Sequence, residues 1–248
     1  MSGHSKWAQI KRQKGVADTK RGQSFTKMAN AISIAVRFGG GITDPAQNFR
    51  LRLEMEKARS INMPKENMLR AIERGVGKGD KGELAEVVYE GFAPNGVSVI
   101  VEAVTDNKMR TTPEIKSLFE KNGGTLGNQG SVSYQFDQMG QITVKKEGKT
   151  LEDIFLQAVD TGAVDVEDGG AEVFIYTAPS DLAKVKDILG ETMAVTDAQL
   201  IRKPLQTVQI KEKGTAKKVL AFIERLEAHD DVQKVYTNFD IADNNFSA

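Results

Sequence analysis

The sequence predicts a multidomain α+β or α/β protein, with an N-terminal helical domain followed by two ferredoxin-like βαβ-type domains, one inserted in the other. Three observations carry this reading. The opening segment shows apolar residues at three-four spacing, the mark of amphipathic helices. The remainder alternates short strand-like runs with helical runs, as βαβ-type units do. Charge divides at the same place: residues 1–78 hold 16 Lys/Arg and 6 Asp/Glu, a net +10, and residues 79–248 hold 18 and 28, a net −10.

In the basic segment Phe25, Met28, Ile32 and Ala35 predict a helix over about 18–38, stopped by Phe38-Gly39-Gly40-Gly41. Asp44 as N-cap, Pro45 at the first helical position and Gln47 at the capping-box position predict the next start, with Leu51, Met55, Ala58 and Ile61 as its buried stripe. Met63-Pro64 opens a third helix through Met68, Leu69 and Ile72, ended by Gly75.

The acidic part reads as strands 87–92 and 97–104 joined by Pro94-Asn95-Gly96, a hairpin signal. Thr105-Asp106-Asn107 then leads a helix with Pro113 in its first turn, and Ser131–Phe136 is again strand-like. A second set follows: strand 141–145, helix 151–161, strand 172–177, helix 180–189, strand 198–202. The last elements are strand 206–211, helix 215–228 and strand 234–240. The expected domains are 1–78, a discontinuous 79–138 plus 204–241, an inserted 139–203, and a flexible tail 242–248. Two sequential domains are the alternative.

Composition narrows function. At 40% hydrophobic and 27% charged residues the 248-residue chain is ordinary for a soluble globular protein. It contains no apolar run of membrane-spanning length and opens without a signal-peptide core, so a cytoplasmic protein is expected. With no cysteine, thiolate nucleophiles and Cys-ligated metals are excluded. Only two histidines, His4 and His229, are present, and His229 reads as a surface residue. Gly77 to Gly82 formally match G-x-G-x-x-G, but a helix precedes and a strand follows, the reverse of a dinucleotide site. The run reads as a linker. Asp160, Asp165, Glu167 and Asp168 form an acidic cluster without EF-hand spacing, read as a solvated loop. No catalytic residue, cofactor or metal is expected.

A basic module on an acidic body points to a polyanion. Lys6, Lys11, Arg12, Lys14, Lys20, Arg21 and Lys27 precede or line the first helix, opposed only by Asp18. Arg50 with Lys57, and Arg52 with Arg59, are seven apart and project from common helix faces. Lys65 opens the third helix. Trp7 sits among cations, either anchoring the arm or stacking on a base. Lys108 and Arg110 stand where a strand hands over to a helix, a place suited to phosphate.

Several motifs resemble one family. Gly3-His4-Ser5-Lys6-Trp7-Ala8, Lys20-Arg21-Gly22, Phe25-Thr26-Lys27, Asp44-Pro45, Arg50-Leu51-Arg52 and Asn62-Met63-Pro64-Lys65 look like the YebC/PmpR family. Tyr89-Glu90-Gly91-Phe92, Thr105-Asp106-Asn107 and Arg110-Thr111 continue the likeness. The chain departs from it at Arg12-Gln13, where His-Arg is common, and at Ser133-Tyr134, where Ala-Trp is usual. The resemblance implies a three-domain cytoplasmic regulator of gene expression: a DNA-binding transcriptional regulator or, alternatively, a translation factor on ribosome or mRNA. A protein-binding adaptor and a metal-dependent enzyme are remoter alternatives. Nucleic acid is the expected partner, the membrane is not, and a monomer is favoured.

Overall fold

A computed structural model describes residues 21–77 and 84–241, which fall into two compact units. The first comprises residues 21–133 and 211–237, and the second 134–210 with 238–241.

The first unit begins with three helices, α1 (Arg21–Phe38), α2 (Phe49–Ser60) and α3 (Lys65–Gly75). Ile32, Ala35, Val36, Leu51, Ala58, Met63, Met68 and Ala71 close into one core between them. The start of α2 differs from expectation. Asp44 makes a local turn, accepting from the Ala46 N–H at 2.9 Å, and Asn48 is the cap. Its Oδ1 accepts from the Leu51 N–H at 3.0 Å, while its Nδ2 donates to Ala35 O at 2.9 Å and Ile42 O at 3.1 Å. One buried amide therefore ties the end of α1 to the start of α2, a tertiary role that local capping rules do not encode. Gly39 is part of that joint: a Cβ there would lie 2.3 Å from Asn48 Nδ2.

A four-stranded antiparallel sheet follows, ordered β3-β1-β2-β9. It consists of β1 (Ala85–Ala93), β2 (Val97–Thr105), β3 (Thr125–Leu126) and β9 (Val232–Thr237). The β1–β2 hairpin turns through Pro94–Gly96, with Asn95 and Gly96 at φ 68° and 70°. Helices α4 (Lys108–Lys121) and α7 (Lys213–Glu227) meet where Phe119 and Phe222 pack edge to face, centroids 5.1 Å apart. Pro113 lies inside α4 rather than in its first turn, because Asn107 caps the helix by accepting from the Arg110 N–H. Spatially this is a ferredoxin-like sheet in which one inner strand, β1, comes from before the split βαβ unit as a hairpin partner of β2. The chain leaves after Ser133 and returns at Lys211.

Of the expected strand 131–136, residues 131–135 are bends and a short 3-10 turn, and only Phe136 is strand, where the first strand of the second unit begins. The Gly130, Val132 and Ser133 N–H groups all donate to the Glu90 carboxylate at 2.9 Å, and Ser131 N–H donates to Asn128 O, which curls the chain instead of extending it into a ladder. Burial pushes the Glu90 carboxyl up, but the three N–H groups outweigh it and hold the carboxyl below its usual value.

The second unit has strands β4 (Phe136–Lys145), β5 (Asp165–Asp168), β6 (Glu172–Thr177) and β7 (Val195–Pro204), with α5 (Leu151–Asp160) and α6 (Leu182–Gly190). Its order, β5-β6-β4-β7 with every neighbour antiparallel, is the ferredoxin-like arrangement. Ile142, Val144, Val173, Ile175, Ile154, Ala158, Leu182 and Val185 are its buried core. A parallel pair, β8 (Val208–Ile210) with β10 (Phe239–Ile241), completes the unit. No helix among the described residues is long and apolar enough to cross a membrane.

Candidate nucleic-acid interface

Of the expected site residues, Lys6, Trp7, Lys11, Arg12, Lys14 and Lys20 lie outside the described residues, as do linker residues 78–82 and the tail 242–248. Arg21 opens α1. The others fall into two groups.

One group occupies exposed or half-exposed positions. Arg59, near the end of α2, and Lys65, at the start of α3, are exposed, as is Lys108 at the start of α4. Lys57 is half-buried on α2. Arg52 stacks its guanidinium over the Phe49 ring, 5.1 Å from the centroid, a geometry that holds the planar group in place. Arg52, Lys57, Arg59 and Lys65 present cations along α2 and its turn into α3, and Lys108 stands apart at the start of α4.

The second group holds protein partners within the first unit. Lys27 Nζ donates to the Glu227 carbonyl at the C-terminal end of α7, where the helix dipole favours a cation. Arg50 meets Glu86 of β1 at 2.5 Å, and Arg74 of α3 lies 3.9 Å from Asp106. Arg110 is the most committed: its guanidinium is 2.9 Å from Asp231, 3.4 Å from Asp106 and 4.0 Å from Glu114. Hydrogen bonding and charge from Asp231 push Arg110 further up from its ordinary value. Asp231 is pushed up by burial, but its bonds from Thr111 and Arg110 outweigh this and hold it low. The handover from β2 to α4 is thus an ion-pair cluster more than an open phosphate seat. Sequence reasoning missed Glu86 and Asp231 because those pairs are long-range, 36 residues apart for Arg50 and Glu86 and 121 for Arg110 and Asp231, while Asp106, only four residues from Arg110, was read as part of the helix start.

Among the described residues, Glu114, His229 and Asp231 have ligand-type atoms within 4.8 Å of one another. His229 is not the surface residue expected, its side chain being only 16% exposed. Its Nδ1 accepts from the Asp231 N–H at 3.1 Å, which leaves the proton on Nε2, 3.1 Å from Glu114. A protonated Nε2 has no lone pair for a metal, and Arg110 already supplies positive charge there. The arrangement suits an ion-pair network. The acidic cluster of the second unit is likewise partnered. Lys203 lies 2.6 Å from Asp165 and 3.0 Å from Glu167, and Lys146 lies 2.8 Å from Asp168. Three of those four acids stand on β5, an edge strand that the reading as a loop did not anticipate.

Comparison with known proteins agrees over nearly the whole chain. A probable transcriptional regulatory protein of Sulfurihydrogenibium sp. is 47% identical across 97% of this chain and 96% of its own length. One from Syntrophomonas wolfei is 44% identical across 98% of both. The crystal structure of a conserved hypothetical protein from Aquifex aeolicus superposes with a TM-score of 0.84 at 43% identity, over 91% of this chain and 93% of that one. Residues 5–78 match the family profile described as the TACO1/YebC protein N-terminal domain, and residues 84–239 match the TACO1/YebC second and third domain. The chain belongs to the TACO1/YebC family.

Proposed function

We propose that this protein is a nucleic-acid-binding regulator of gene expression acting in the cytoplasm. In this reading residues 1–78 are the binding module and phosphate contacts supply most of the affinity. The observation that carries it is the division of charge, +10 in residues 1–78 against −10 in the remainder. Each cation that displaces counterions from a nucleic-acid backbone contributes to binding whatever the sequence. The arm cations Lys6, Lys11, Arg12, Lys14 and Lys20 would supply the contacts, with Arg21, Arg52, Lys57, Arg59 and Lys65. Lys27, Arg50, Lys108 and Arg110 are secondary, three of them because they already hold partners. Relatives named as probable transcriptional regulatory proteins support duplex DNA as the target. The reading assigns no catalytic residue.

One observation favours a second target. Base reading needs short polar or paired side chains at the front of a helix. The sequence offers one such group, Gln47, Asn48 and Arg50, and each is engaged elsewhere, Gln47 with Asp44, Asn48 in the α1–α2 joint and Arg50 with Glu86. Recognition by shape and phosphate suits structured RNA, including the ribosome, as well as DNA. A competition titration at fixed salt tests this. A promoter fragment should exceed scrambled DNA of equal length by no more than about 1–2 kcal/mol, below the ~4–10 kcal/mol of sequence-specific binders. Structured RNA should compete at least as well as scrambled DNA. A thousandfold preference for one DNA sequence, with RNA failing to compete, would rule out the RNA reading. Binding to neither polymer would overturn the function itself.

A further inference from the structure

Helix α5 of the second unit turns an apolar face to water. Ile154 and Ala158 are fully buried beneath it. Running round the helix from the edge of that buried face to the side opposite it, Leu151 is 37% exposed, Phe155 46%, Val159 47% and Leu156 58%, and Val164 just beyond the helix is 59% exposed. At 100° per residue, Leu151, Phe155 and Val159 form one stripe, with Leu156 beside it. No other described helix does this: α6 exposes only Ile188 among large apolar residues, α4 only Met109, and α7 none. A cluster of exposed apolar side chains on one helix marks an interaction surface. The helix is also firmly built, since Thr150 and Asp153 form a reciprocal capping box at its start. A rigid apolar face costs little ordering on binding.

Charge says what would cover it. The helix carries Glu152, Asp153 and Asp160 and no Lys or Arg. Glu152 lies within the apolar arc, and Asp160 borders it on the side away from the buried face. A second copy docking through the same face would set these carboxylates against each other, because a two-fold contact repeats each patch on both sides. We infer that α5 docks a basic amphipathic protein segment, whose apolar side chains cover Leu151, Phe155, Leu156 and Val159 while its cations meet Glu152 and Asp160. No residue of the proposed nucleic-acid module enters this docking, which stands or falls independently of that module.

The test uses the full chain and a fluorescent leucine–lysine amphipathic peptide of about 14 residues, with a leucine–glutamate counterpart as control. The lysine peptide should bind at least tenfold tighter than the glutamate one. Phe155→Ser with Val159→Ser should weaken it tenfold or more without changing charge. Glu152→Gln with Asp160→Asn should weaken it severalfold without changing the apolar face. All four positions are exposed, so unaltered thermal unfolding is expected and is checked. Equal binding of the two peptides, no binding, or indifference to the Ser pair would overturn the inference. So would concentration-dependent self-association of the wild type that the Ser pair abolishes, which would make a second copy the occupant.

Discussion

On the outer surface of α2 and α3 Arg59 and Lys65 stand in water, and the bundle cations that do pair, such as Arg50 with Glu86, do so at partly exposed positions. On β5 of the second unit the opposite holds. Lys203, only 15% exposed, bridges Asp165 and Glu167 and lies 3.7 Å from the centre of the Tyr176 ring, whose hydroxyl also donates to Glu167. Both regions announce themselves in the sequence as charge runs. Only one leaves its charge available to a partner, because ion pairs at exposed positions are weak and exchange readily, whereas partly buried ones are held by surrounding structure. A count of charges locates a candidate surface; burial decides whether that surface can work.

The sharpest way to break this contrast is to remove arm cations. Replacing Lys11, Arg12 and Lys14 together by Ala should weaken nucleic-acid binding across sequences, with little change in stability. If each meets one phosphate of B-DNA, the log–log salt slope shrinks by about 2.7, which is several hundredfold in affinity near 0.1 M salt. Titrations at several salt concentrations read both numbers. An unchanged slope would show that the arm does not touch the backbone.

Next in size is the buried pairing in the second unit. Lys203→Met removes the cation between Asp165 and Glu167 and should cost about 1–2 kcal/mol near neutral pH, discounted because Asp165 is half exposed. Burial pushes the Asp165 carboxyl up, but the Lys203 hydrogen bond and charge, with the Val166 N–H, hold it below its ordinary 3.8. A carboxyl depressed on folding adds stability above its unfolded value and loses it as pH falls through the folded one. The gap between wild type and variant should therefore be full above about pH 5 and close below the ordinary carboxylate value. Urea unfolding at pH 7 and at pH 3 measures it. A gap that persists in acid would assign the contribution to packing on Tyr176 instead of to charge.

How much of this was legible beforehand differs by residue. The ferredoxin-like order of the second unit follows from its alternation of apolar strands and helices, and the three helices of the bundle from three-four spacing. The misplaced features share one cause: a polar side chain spent on a distant partner. Asn48 took the cap expected of Asp44 because its amide could also reach Ala35 and Ile42. The N–H groups of Gly130, Val132 and Ser133 went to Glu90, 40 to 43 residues away, beside and within the expected strand. His229 read as a surface residue and Arg110 as a phosphate contact because their respective partners, Glu114 and Asp231, meet them only through the fold. The arm, which carries much of the proposed site, remains a sequence argument.

The smallest expected effect is the most diagnostic for chemistry. Asp165→Asn with Glu167→Gln removes two negative charges from β5 while keeping hydrogen-bond acceptors for Lys203. Removing like charge from the acidic body should favour a polyanion. Yet Lys203 already neutralises part of that charge, and the Debye length of roughly 8 Å at physiological salt screens the remainder. Nucleic-acid affinity should therefore stay the same or rise by less than about twofold in a fixed-salt titration. A rise of tenfold would mean that β5 lies against the bound polymer, and the contrast between available and neutralised charge would fail. Metal-dependent turnover of a phosphoester, abolished by the double change, would mean that Lys203 occupies the cluster only until a cation displaces it, and the acids that look spent would be catalytic.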